Sequence, residues 1–387
     1  GEKNISNVID MSGLFEYCSS LKTLIINELI TKSVIDMSYI FRGCKSLQAL
    51  YIMSLDTTNV KNMEGMFSEC TSLSSLDVSG LKTSNVENMS LMFSNCYSLS
   101  YIEGMDFDTS KVYNMSGMFK NCSALTSLKL DKFNTNKVID ISRMFYSCES
   151  LENIDLSKFN TTNVIDMTYM FYSCRSLSEL DINNFYTPNV ISMHGMFKGC
   201  TSLSVLNISK FDTKSVNTMS NMFSECSNLT DIDLSKFNTS QVKDMSYMFN
   251  ECNSLEEINA DNFDTSNVEK MEYMFYNCNN LKMIDVANFN TNKVINIRKM
   301  FSGCSSVSEL YFGEKNISNV IDMSGLFEYC SSLETLIINN LITKSVIDMS
   351  YIFRGCKSLQ ALYIMTIDTR NVKNMKGMFS DCTSLLQ

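Results

Sequence analysis

Fifteen cysteines are the first side chains of this 387-residue chain with types and spacing that could do chemistry. They stand 26 residues apart throughout, from Cys18 and Cys44 to Cys382, with no C-x-x-C pair. Zinc needs four ligands converging on one point, whereas a column of stacked repeats offers one thiol per step of about 4.8 Å. Neighbouring Cα atoms in such a column are near enough for a disulfide, but parallel Cβ vectors are wrong for one. An odd number also cannot pair completely. The expectation is a ladder of small, buried, reduced thiols, with some disulfides or a metal as alternatives. His194 is the single histidine, so a catalytic triad or a His-based metal site has almost no raw material. It is expected on an exposed helical position. No Gly-rich phosphate loop occurs. No catalytic residue, metal ligand or cofactor is therefore assigned.

Carboxylates form the second candidate group. One column of an expected strand reads Asp77, Glu103, Lys129, Asp155, Asp181, Asn207, Asp233, Asn259 and Asp285. The column two residues earlier adds Glu179, Asp231, Glu257 and Glu309. A solvated acidic face that keeps the array soluble is the expected role, with weak divalent-cation binding as the alternative. Toward both ends the same column turns apolar, at Ile25 and Tyr51 and again at Tyr311, Ile337 and Tyr363, with Met53 and Met365 two residues on. Apolar side chains on an exposed strand face mark a contact patch.

The elements that position these columns follow from the period. Valines recur every 26 residues from Val8 to Val372 without insertion or deletion, giving 15 repeats. One repeat reads V-x-x-M-x-x-M-F-x-x-C-x-S-L-x-x-L-x-I-x-x-F-x-T, and its Phe column is filled in every copy from Phe15 to Phe379. The apolar spacing over Val60, Met63, Met66, Phe67 and Cys70 predicts a short helix or 3₁₀ segment. Leu76-Asp77-Val78 alternates with period 2 and predicts a short strand with Asp77 outward. Clusters such as Asp264-Thr265-Ser266-Asn267 predict turns before each valine, and Pro188 is expected in one of them. One repeat cannot bury enough apolar surface to fold alone, so stacking must supply the rest. Fifteen coils at the strand spacing would extend about 70 Å.

The segment Phe171-Tyr172-Ser173-Cys174-Arg175-Ser176-Leu177-Ser178-Glu179-Leu180-Asp181-Ile182, with N-V-x-x-M before it, resembles the BspA-like leucine-rich repeats of bacterial and protist surface proteins. The resemblance covers all 15 repeats. It implies an α/β solenoid: a leucine-rich-repeat-like right-handed coil with a parallel β-sheet on one face and short helices on the other. It also implies a cell-surface or secreted protein associated with adhesion. Where ordinary leucine-rich repeats bury an Asn, this chain has Phe or Leu, as at Phe159 and Leu81, so an Asn ladder is not implied.

Composition narrows the function classes. Apolar residues make up 44% of the chain, which excludes a disordered acidic tail. No apolar run is long enough to span a membrane. A net charge of −10 argues against nucleic acid and against an anionic membrane surface. Nine N-x-S/T sequons are about what composition gives by chance, so they carry no signal for glycosylation.

A longer period lies over the first. Residues 1–75 match residues 313–387 at 66 of 75 positions, an offset of 312, or 12 repeats. Block duplication accounts for this, and so does selection to present one patch per block. The chain is expected to be one continuous solenoid domain, 1–387, and a window on a longer array. It is read as a non-enzymatic extracellular or cell-surface protein that works by contact with a host or matrix protein. The alternative is a filament subunit that self-associates through the recurring apolar patches. Neither nucleic acid nor direct membrane insertion is expected.

Overall fold

The computed structural model describes residues 3–4, 7–27, 29–52, 55–338, 341–364 and 367–385. The chain divides into two compact units, Gly1–Asn189 and Val190–Gln387. Each is a parallel β-solenoid built from the 26-residue coil.

In the first unit the described strands are β1 (Lys3–Asn4), β2 (Thr23–Ile25), β3 (Leu29–Ile30), β4 (Ala49–Tyr51), β5 (Ser75–Asp77), β6 (Tyr101–Glu103), β7 (Ser127–Lys129), β8 (Asn153–Asp155) and β9 (Glu179–Leu180). In the second they are β10 (Val205–Leu206), β11 (Met283–Asp285), β12 (Glu309–Tyr311), β13 (Thr335–Ile338) and β14 (Ala361–Ile364). Partners are parallel and one coil apart: Leu24 meets Leu50, Leu76 meets Ile102 and Leu336 meets Leu362. In β5, β7, β11 and β12 the middle residue is buried and its two neighbours are exposed. This is the period-2 alternation expected of Leu76-Asp77-Val78.

The expected helices are absent among the described residues. The Val-to-Leu segment of each coil is a run of tight turns instead. In the coil that begins at Val34, the N–H groups of Met37, Tyr39, Phe41 and Gly43 donate to the carbonyls of Asn62, Glu64, Met66 and Ser68 in the next coil, at 2.7–3.0 Å. The intervening N–H groups close four-residue turns, such as Arg42 to Tyr39 at 3.0 Å and Cys44 to Phe41 at 3.3 Å. An α-helix would spend its amides on its own carbonyls. A stacked coil instead gains by giving every second amide to its neighbour. Each turn still advances three residues, so the apolar 3-spacing survives without the helix.

Two left-handed residues per coil set this path, for example Tyr39 (φ 57°) and Gly43 (φ 69°). A non-glycine residue there costs about 1–2 kcal/mol, which the inter-coil bonds and buried side chains offset. Glycine is needed where a ring lies over the backbone: a Cβ on Gly65 would sit 2.4 Å from the Tyr39 ring.

The expectation of fifteen complete coils is also corrected. The chain makes about thirteen turns. A turn closes only when one strand position meets the next, and the chain carries that position from Leu24 to Leu362.

Three ladders fill the interior. Phenylalanines stack from Phe15 to Phe171 in the first unit and from Phe197 to Phe379 in the second, with neighbouring rings 5.4–5.9 Å apart. Thiols lie beside them: the Cys70 Sγ–H donates to Phe41 O at 3.2 Å and the Cys252 Sγ–H to Phe223 O at 3.1 Å. None of the cysteines forms a disulfide, and all but Cys18 and Cys382 are buried. A buried threonine column supplies the third ladder. The Thr109 hydroxyl donates to Asn134 O at 3.0 Å and accepts from Asn134 N–H at 2.7 Å. Thr213 does the same with Asn238. Pro188 lies in a turn, as expected.

Candidate contact face

The strand face displays the apolar residues that the column pattern selected. In the first unit Ile25 is 57% and Tyr51 55% exposed; in the second Tyr311 is 50%, Ile337 52% and Tyr363 57% exposed. Ile26 is buried beside Ile25, and Leu50 and Ile52 are buried on either side of Tyr51. These tips are thus held by buried neighbours on the same strands. Met53 and Met365 lie outside the described residues. The Tyr311 hydroxyl donates to Glu309 Oε2 at 2.8 Å, and that carboxylate raises the pKa of the phenol.

The acidic column is exposed at Asp77, Glu103, Asp155, Asp181, Asp233 and Asp285. Its aspartates do more than solvate the array. Asp77 Oδ1 accepts the Ser79 N–H at 2.9 Å, and Asp155, Asp181, Asp233 and Asp285 accept the N–H two residues on at 2.9–3.1 Å. Asn207 and Asn259 make the same bond. Each side chain closes the turn that follows it. The Ser79 and Ser235 hydroxyls and N–H groups hold Asp77 and Asp233 below the ordinary carboxylate range, and the Ser157 N–H and hydroxyl do so for Asp155. The signal was legible as a D-x-S pattern: Asp77-Val78-Ser79, Asp155-Leu156-Ser157 and Asp233-Leu234-Ser235.

Sequence reasoning missed three exposed side chains in the other outward column: Tyr101 (60% exposed), Val205 (68%) and Met283 (48%). The stretch between the apolar patches is therefore not uniformly polar. Around Tyr101 the strand face is hollowed. One hollow of about 520 Å³ is lined by Gln48, Tyr51, Ser75, Asp77, Tyr101 and Glu103 among others. A second, of about 310 Å³, shares Tyr101 and includes Gly104, Asp106 and Lys129.

The turn side carries aromatic and charged clusters that bind coil to coil. The Arg42 guanidinium lies 5.3 Å from the Tyr17 ring centre and 5.2 Å from that of Tyr39, and it pairs with Glu16 and Glu69. The Tyr39 hydroxyl donates to Glu64. In the second unit Arg354 sits over Tyr329 and Tyr351 and pairs with Glu328. His194, expected as an exposed helical residue, is half-buried in a turn with its Nδ1 2.5 Å from Ser220 Oγ. The helix that would have exposed it does not form.

Sequence comparison places the chain. All of it, as residues 1–102, 101–206, 199–313 and 308–387, matches the family described as "Mycoplasma protein of unknown function, DUF285". The chain belongs to this family. No curated relative matches the DUF285 chain in sequence. Among solved structures it is similar to a leucine-rich repeat protein from Bacteroides ovatus, with 17% identity, TM-score 0.37, and coverage of 98% of this chain and 81% of that one. A leucine-rich cell surface protein from Faecalibacterium prausnitzii shows 17% identity and TM-score 0.36 over 92% of this chain and 76% of the other. A leucine-rich repeat protein from Eubacterium ventriosum shows 16% identity and TM-score 0.35 over 85% and 82%.

Proposed function

We propose that this DUF285 chain is a non-enzymatic, extracellular or cell-surface repeat protein that adheres to a host or matrix protein through its strand face. The observation that carries this reading is the row of half-exposed Tyr and Ile side chains on a face whose backbone is fixed by inter-coil bonds. Large rings on a rigid sheet offer contact area at low entropic cost on binding. Many of the chain's repeated polar side chains are already engaged: threonines and cysteines in ladders, aspartates and asparagines in turns. Catalysis needs a positioned pair of unlike groups set apart from the periodic pattern. Net charge −10 disfavours nucleic acid as the partner. No helix among the described residues is long and apolar enough to cross a membrane.

The test is adhesion of protein-coated beads to a reconstituted basement-membrane matrix. Replacing Ile25, Tyr51 and Tyr101 with Ser should abolish adhesion, and replacing Tyr146, which lies in the turn run and stacks on Tyr172, should leave it intact. Equal adhesion by both variants would refute the strand-face reading.

The 312-residue recurrence favours a second reading. Ile25 and Tyr51 reappear as Ile337 and Tyr363 at the same register. Such patches would let copies associate laterally into a filament, with the carboxylates between them opposing other registers. Light scattering against salt decides: wild type should grow in mass where Tyr51, Tyr311 and Tyr363 all replaced by Ser stays monomeric.

A further inference from the structure

The strand face departs from its own period at one place. The coil of Tyr101-Ile102-Glu103 continues with Gly104 where the flanking coils have Val78 and Leu130. Gly104 has φ 70°, and a Cβ there would lie 2.4 Å from the Ser79 side chain. The backbone of this coil thus draws in against its neighbour, and Tyr101 lines both hollows.

The lining of the larger hollow has unbalanced charge. Asp77 and Glu103 stand opposite one another in register on β5 and β6, which puts like charges about one strand spacing, ~4.8 Å, apart. Among the described residues neither is in an ion pair, and Lys129, next along the column, pairs with neither. Tyr51 and Tyr101 wall the site and are both more than half exposed. The chain itself shows what this set of groups holds. Arg42 is sandwiched by Tyr17 and Tyr39 and paired with Glu16 and Glu69, and Arg354 by Tyr329 and Tyr351 and paired with Glu328. The hollow repeats the tyrosines and the carboxylates without the arginine.

We infer that the Tyr51–Asp77–Tyr101–Glu103 hollow is a receptor for an arginine side chain presented by a partner protein. This rests on the contact reading of the strand face and names the chemistry of its partner. A guanidinium can lie against a tyrosine ring and bond two carboxylates in its plane at once. A lysine ammonium is a point charge and cannot do both equally well. The negative net charge of the chain speeds encounter with a basic segment.

The experiment is fluorescence anisotropy of the full chain with a labelled Gly-Ser-Gly-Arg-Gly-Ser-Gly peptide, followed to millimolar protein, beside its lysine and citrulline counterparts. Citrulline keeps the shape and loses the charge. The variant that carries D77N with E103Q removes both charges and keeps the turn, because Asn207 and Asn259 close the same turn with an amide. D233N, on the acidic column outside the hollow, controls for general charge, and circular dichroism checks folding of Y101S. Expected are saturable binding of the arginine peptide, at least tenfold weaker binding of citrulline, and severalfold weaker binding of lysine. The double variant and Y101S should lose at least tenfold and D233N less than twofold. Absence of arginine-peptide binding, equal binding of citrulline, or equal loss in D233N and the double variant would overturn the inference. The bead assay separates the two readings. Strand-face-dependent adhesion without arginine binding removes only this inference, whereas adhesion indifferent to the strand face removes the functional reading itself.

Discussion

The Cys96 thiol donates to the carbonyl oxygen of Phe67, one coil back, at 3.1 Å. The contact joins the thiol ladder to the backbone beneath the phenylalanine stack. The same carbonyl accepts the Cys70 N–H at 3.3 Å, so one oxygen ties together two neighbouring coils. Burial pushes Cys96 up to about 12, and Cys148, Cys252 and Cys304 likewise.

Native thiols should therefore resist modification. Titration with a chromogenic disulfide at neutral pH should label Cys18 and Cys382 quickly and the remaining cysteines only after denaturation. Rapid native labelling of most thiols would contradict the ladder.

Alkaline pH should destabilise the protein. The buried thiols Cys96, Cys148, Cys252 and Cys304 have folded-state pKa values above the unfolded value of 9.0, so the folded state holds the proton more tightly. That contribution is complete below about pH 9 and is lost as pH rises from about 9 toward about 12. The unfolded chain is stabilised there by releasing protons. Denaturant midpoints should be flat from pH 6 to 8 and fall steeply above 9. Replacing several ladder cysteines with Ala should flatten the fall, and an unchanged slope would show that other groups govern it.

Removing one ring from the phenylalanine stack should be costly. Phe171 is fully buried and its ring lies 5.4 Å from that of Phe145. Phe171→Ala should destabilise by about 3–5 kcal/mol through lost burial and the cavity left behind. Coils couple only to neighbours, so the damage should stay local and can split unfolding into two steps. A loss below about 1 kcal/mol in denaturant titration would contradict this core assignment.

The threonine ladder gives a nearly isosteric test. Thr109→Val keeps the volume but deletes one donor and one acceptor toward Asn134. The orphaned groups should cost about 1–3 kcal/mol. Amide hydrogen exchange at Asn134 should accelerate at the same time. A variant as stable as wild type would mean that water replaces the hydroxyl there.

Much of the architecture was legible because a strict period is itself a packing statement. Val60, Met63, Met66, Phe67, Cys70, Leu73, Leu76 and Val78 are all buried, as their spacing required. Ile25 and Tyr51 are outward for the same reason. The turn-closing role of Asp77 was also within reach, since D-x-S is a local pattern and its hydrogen bond spans only two residues.

The sequence by itself determined the 26-residue coil, the inward and outward columns, and the single-file thiols, because these depend only on which residues recur at which spacing. Tertiary structure decided the rest. Apolar spacing of three is common to a helix and to consecutive turns, and only the partner coil selects between them. Tyr39 and Phe41 take the turn path because their amides find Glu64 and Met66 one coil away. The hollow at Tyr101 has the same origin. Gly104 is one missing side chain in the sequence, and only the stacked structure shows that its absence lets the neighbouring coil at Ser79 lie close against it.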